Sequence, residues 1–100
     1  MAQEVEEVIK RLQGQEGVEG VLCIDREGRT IRSTLSQEQT QLYAGLVEGL
    51  VEKATSVARE MEAGNEATYL RLRTSKSELM IVPDHAGTGY ALAVIHKPQH

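Results

Sequence analysis

From Ser36 to about Met61 or Glu62 the chain carries one continuous helical pattern, and the rest of the fold must be arranged around it. Ser36 followed by Gln39 forms a capping box, the serine side chain accepting a first-turn N–H while the glutamine reaches back. Leu42, Leu46, Leu50, Ala54, Val57 and Met61 make one apolar row. Tyr43, Val47, Val51 and Ala58 widen that row beyond what packing on one surface requires. Gly64-Asn65 is a good C-terminal stop.

Ahead of this helix, Val5, Val8, Ile9 and Leu12 recur at i, i+3, i+4 and i+7, with Glu4, Glu6, Glu7, Lys10 and Arg11 toward solvent. The spacing predicts a short amphipathic helix that stops near Gly14. Gly17 and Gly20 then bracket a change of period. Val21 to Ile24 is unbroken and apolar, Asp25 to Gly28 has turn chemistry, and Thr30 to Thr34 completes a hairpin. After the long helix, Thr68 to Arg73 alternates, with Leu70 and Leu72 on one face and Tyr69, Arg71 and Arg73 on the other. A Ser-Lys-Ser turn leads to Leu79–Val82, which stops at Pro83-Asp84. The loop His85 to Gly89 leads to Tyr90–Ile95, which stops at Lys97-Pro98.

The pattern predicts a single α/β domain of the α+β type over residues 1–100, its element order helix, two strands, long helix, three strands. Runs 21–24, 79–82 and 90–95 are apolar on both faces, so they belong at the centre of a sheet covered on both sides. Runs 30–34 and 68–73 alternate and suit edges. Hairpin neighbours tend to be adjacent. A five-stranded mixed or antiparallel sheet of order 2-1-5-4-3 results, with the long helix on one face and the N-terminal helix on the other.

That sheet asks for a partner. Five strands at ~4.8 Å each span about 24 Å, whereas one helix covers only ~10 Å. The edge strand 68–73 has no proline and no bulge signal, and exposed edges of that kind invite pairing with another chain. Arg71 and Arg73 either blunt it by repulsion or lie across a symmetric pair against Glu78 or Glu66. The over-wide helix stripe favours pairing, so edge strand and helix form one self-complementary two-fold surface.

Composition closes off other functions. The chain has 40% hydrophobic residues, three tyrosines, no Phe, no Trp and a net charge of −4. A chain without a clustered basic surface or stacking aromatics is poorly suited to nucleic acid. No apolar run approaches the ~18 residues of a membrane span, and the N-terminus lacks a basic segment followed by an apolar one. A reducing cytoplasmic compartment is expected, with Cys23 as a buried small hydrophobe. His85, His96 and His100 have no metal-ligand spacing. Gly87-Thr88-Gly89 lacks the lysine and the following helix of a phosphate loop. Ser33, Thr34 and Asp25 have no histidine in plausible range for nucleophilic chemistry. No catalytic constellation, cofactor, metal or small-molecule substrate is expected.

Four segments, "VEEVIKRLQGQEGVEGVLCIDREGRTIRSTL", "QLYAGLVEGLVEKATSVAREME", "TYLRLRTSKSELMIVPD" and "LAVIHKP", resemble the roadblock-type dynein light chains in order and spacing over nearly the whole chain. The resemblance implies a roadblock/profilin-like domain that forms homodimers. The third strand would pair with its symmetry mate into a ten-stranded sheet, and the long helices would pack side by side. Carried over by position, the interface is Thr68, Tyr69, Leu70, Arg71, Leu72 and Arg73 with Tyr43, Leu46, Val47, Leu50, Ala54 and Val57. The implied partner is the dynein intermediate chain, in cytoplasmic or axonemal dynein, and the implied role is microtubule-based transport or ciliary motility. Proteins of this fold also serve as regulators or scaffolds of small GTPases. Two features depart from the family pattern. The loop "DHAGTGYA" is longer and richer in glycine, and Gly45 and Gly49 stand mid-helix, either packed on the sheet or allowing close approach of two long helices.

Overall fold

The computed structural model describes residues 2–98. Its elements are α1 (Ala2–Gln13), β1 (Val18–Ile24), β2 (Thr30–Ser33), α2 (Gln37–Met61), β3 (Leu70–Arg73), β4 (Glu78–Val82), a single 3-10 turn (His85–Gly87) and β5 (Ala91–His96). The strands form one sheet of order β2-β1-β5-β4-β3, and every adjacent pair is antiparallel. This is the expected architecture.

Side-chain alternation along the central strands splits the core into two layers. Leu22, Ile24, Ala91, Ala93 and Ile81 face α2, where they meet Ala44 and Val47, with Tyr43, Leu50, Val51, Leu70 and Leu79 at the margin. Val21, Cys23 and Leu92 face the other way, against Val5 and Ile9 of α1. At the α2 N-terminus the serine half of the expected capping box forms, the Ser36 Oγ accepting from the Gln39 N–H at 3.2 Å.

Strand boundaries differ from the sequence pattern by more than one residue at two points. β1 begins at Val18 because its register with β5 continues past an irregularity between Val18 and Gly20 as far as His96. β3 begins at Leu70, not Thr68. Leu70 is registered with Ile81, which puts Thr68 level with Pro83, a residue with no N–H to donate. The far edge of the sheet is irregular too. β2 has four residues, and its register against β1 shifts between Cys23 and Ile24.

The β1–β2 turn is built by Asp25. Its Oδ1 accepts from the Glu27 N–H at 3.0 Å and the Arg29 N–H at 2.9 Å, and its Oδ2 accepts from Arg29 Nε at 2.8 Å. The glycine-rich β4–β5 loop satisfies itself in the same way. Asp84 Oδ1 accepts from the Gly89 N–H at 2.8 Å, and Thr88 Oγ1 donates to the His85 carbonyl at 2.7 Å.

Candidate functional site

α2 presents two apolar rows, and only one of them packs on the sheet. Ala44, Val47 and Ala58 are buried, and Tyr43 and Val51 are half-buried beside them. The other row is open. Leu42 is 59%, Leu46 50%, Val57 43% and Met61 74% exposed. Gly45 and Gly49 belong to this open side, since a Cβ built on either meets nothing within 4 Å. The reading of these glycines as packed on the sheet is therefore wrong: the helix is turned so that they face outward.

The open row runs into the edge of the sheet. Leu50, Lys53, Ala54, Val57 and Met61 form one wall of a cleft of about 490 Å³ whose other wall is Thr68, Tyr69 and Leu70. Beyond that cleft the outer side of β3 is the unpaired end of the sheet. Helix row, cleft and strand edge form one continuous surface. Its large apolar side chains are uncovered in the single chain, which is the mark of an interaction site.

Eleven of the twelve residues expected at an interface lie on or beside this surface. Leu46, Val57, Thr68, Tyr69, Arg71, Leu72 and Arg73 are exposed, and Tyr43, Leu50, Ala54 and Leu70 are partly buried at its margin. Val47 is the correction. It is completely buried against the sheet, because the helix rotation that opens Leu46 turns its neighbour inward. Leu42 and Met61 belong to the open row and were absent from the expected set. The helical period already placed them in line with Leu46 and Val57.

The face of the sheet opposite α2 carries the charged part of the edge. Arg71 and Arg73 both reach to Glu78 of β4, their Nε atoms donating to the same Oε2 at 2.9 and 3.0 Å. The Glu78 side chain is only 2% exposed, while those of the two arginines are about half exposed at 49% and 53%. The hydrogen bond from Arg71, with help from Arg73, holds the Glu78 carboxyl below the usual carboxylate range despite the opposing effect of burial. Beside this cluster α1 leaves part of the sheet uncovered, in an apolar groove of about 260 Å³ floored by Met80, Val82, Leu92 and Val94 and walled by Leu12 and Tyr69.

The remaining candidates for chemistry are occupied by structure. Burial pushes the Cys23 thiol up from its ordinary value. Ser33 Oγ lies 2.7 Å from Thr40 Oγ1, and Thr34 Oγ1 accepts from the Val21 N–H at 2.9 Å. His96 is buried, with Nδ1 2.6 Å from the Lys97 carbonyl oxygen and Nε2 3.2 Å from that of Glu16. His85 turns the β4–β5 loop, and His100 lies outside the described residues. Among the described residues no three His, Cys, Asp or Glu side chains come together as metal ligands, and no helix is long and apolar enough to cross a membrane.

The model of the Roadblock/LC7 domain family matches residues 4–96 of this chain. Among solved structures, the chain is similar to a Roadblock/LC7 domain from Streptomyces avermitilis, with a TM-score of 0.80 and 18% identity over 91% of this chain and 76% of that one. It is similar to MglB from Myxococcus xanthus, with a TM-score of 0.76 and 25% identity over 94% of this chain and 76% of that one. An MglB structure with a tetrameric arrangement gives a TM-score of 0.78 at 16% identity, over 96% of this chain and 72% of that one.

Proposed function

The chain belongs to the Roadblock/LC7 domain family, and from that premise we propose that it is a non-catalytic accessory light chain of a dynein motor complex. It acts as a dimer, with itself or with a paralogue, and binds the dynein intermediate chain in assembly of the motor and attachment of its cargo. Its place is cytoplasmic and cytoskeleton-associated, in cytoplasmic or axonemal dynein. One observation carries the reading: the open row of α2 and the free edge of β3 form one uninterrupted surface. A two-fold axis at that edge extends the sheet and brings the two open helix rows together, so both unsatisfied features are covered by one operation. The MglB with a tetrameric arrangement supports self-association on this fold.

A light chain binds its partner through surface that remains after dimerisation. The groove over Met80, Val82, Leu92 and Val94, on the face away from α2, is left open by that operation and suits an apolar helix face from the intermediate chain. The resemblance to dynein light chains spans the four segments quoted above, and the family match covers nearly all of them.

A second reading is a regulator or scaffold for a small GTPase. The 25% identity to MglB of Myxococcus xanthus favours it, because the domain occurs in GTPase regulators of that kind as well as in dynein light chains.

Sedimentation equilibrium of the purified chain, with and without an intermediate-chain peptide, tests the proposal. A species of twice the chain mass that takes up two peptides is expected. A dimer that ignores the peptide but binds a small GTPase in one nucleotide state only would establish the second reading. A monomer that ignores both would overturn the scaffold role.

A further inference from the structure

An edge strand with two arginines on one face is badly suited to pair with a copy of itself. The two-fold axis that joins two antiparallel β3 strands stands perpendicular to the sheet and keeps the same face of both strands on the same side. Arg71 and Arg73 of two chains would then share one face of a ladder built from four-residue strands. Across such a ladder, side chains directly opposite have Cβ atoms about 4.5–5.5 Å apart and diagonal ones about 7–8 Å apart. Four guanidinium groups at those spacings oppose pairing.

Glu78 answers this within each chain. It stands opposite Arg73 in the β3–β4 register, and its single Oε2 holds both arginine Nε atoms. The two guanidinium groups are thereby drawn inward over β4, away from the free edge of β3. On the other side of Glu78 the register places His96 of β5, whose ring nitrogens already face the carbonyl oxygens of Glu16 and Lys97. The carboxylate is thus committed to the arginines, and the cluster carries one net positive charge per chain in place of two.

The geometry points to Glu78 as the residue that makes the β3 edge compatible with a second copy of itself, by neutralising and redirecting Arg71 and Arg73. The inference rests on the self-association proposed above. It adds that pairing is governed by a charge balance on the face away from α2 and is therefore sensitive to salt and to charge-changing substitutions there. It also sets a rule for heterodimers: a paralogue pairs well when its own edge carries the same balance or a net negative one.

Sedimentation of the wild type, Glu78→Gln, Arg73→Gln and the triple variant Arg71→Gln/Arg73→Gln/Glu78→Gln, in dilute buffer and in about 1 M salt, tests it. Glu78→Gln should weaken self-association by about tenfold or more in dilute buffer. Most of that loss should vanish in 1 M salt, where the screening length is only about 3 Å. The triple variant, whose cluster is neutral, should associate at least as tightly as the wild type in dilute buffer and like it in 1 M salt, because no charge remains to balance. Arg73→Gln is an exposed change that leaves Arg71 matched to Glu78, and it should tighten the dimer about threefold or more; it decides the matter if Glu78→Gln does not fold. Wild-type association in Glu78→Gln, a loss that salt and the triple variant do not repair, or an Arg73→Gln dimer no tighter than the wild type would each overturn the inference while leaving the dimer in place. A monomeric wild type would overturn the dimer itself, and the role of Glu78 with it.

Discussion

A methyl group added at Gly17 would sit 2.6 Å from Cε1 of the His96 ring, on a backbone whose φ of +87° L side chains rarely adopt. The neighbouring Gly17 carbonyl accepts from the Lys97 N–H at 2.9 Å, so the chain cannot simply move away. Gly17→Ala should cost about 1–3 kcal/mol of stability, read as a lower midpoint in urea; an unchanged midpoint would mean that this junction is soft. Glu78 makes a different kind of contribution. Its folded pKa lies below the ordinary value, so its ion pairs stabilise the fold fully above the unfolded carboxylate pKa of about 4.3 and cease to do so as pH falls through the depressed folded value. Denaturation of wild type and Glu78→Gln should therefore differ near neutrality and converge in acid, and parallel curves throughout would refute the linkage. The Arg71–Glu78–Arg73 cluster was only half legible in the sequence. Both roles of the arginines, blunting the edge or lying across a symmetric pair, were open until the β3–β4 register put one carboxylate of the same chain between them.

At the scale of elements, the order of the sheet could be read from the chain because burial on both faces leaves a continuous apolar run, as in Val21–Ile24, whereas an edge strand such as Leu70–Arg73 must alternate. The rotation of α2 could not. Its two apolar rows lie side by side on the helix, either could face the sheet, and the choice falls to side-chain fit against Leu22, Ala93 and Ile81. Hence Val47 turned inward, and Gly45 and Gly49 turned outward. Gly49→Ala adds a methyl where nothing lies within 4 Å in the single chain, so at concentrations that favour the monomer it should raise stability by about 0.5–1 kcal/mol. Gly49→Leu should weaken self-association if two α2 helices meet there. A dimer indifferent to leucine at this position would mean that the helices meet elsewhere along the row.

For the molecule as a whole, the two edges of the sheet are not alike. β3 is regular, faces open solvent along its outer side and adjoins an uncovered helix row. β2, at the opposite end, is four residues long with a slipped register, and its Arg32 is tied back to Glu6 of α1 at 3.1 Å. Short, bulged, charged edges are those that refuse further strands. On the pairing proposed above, the slip between Cys23 and Ile24 leaves each chain a single edge that accepts a strand. Two β3 strands that met would leave terminators at both remaining ends, and raising the concentration would then multiply finished pairs without lengthening any of them.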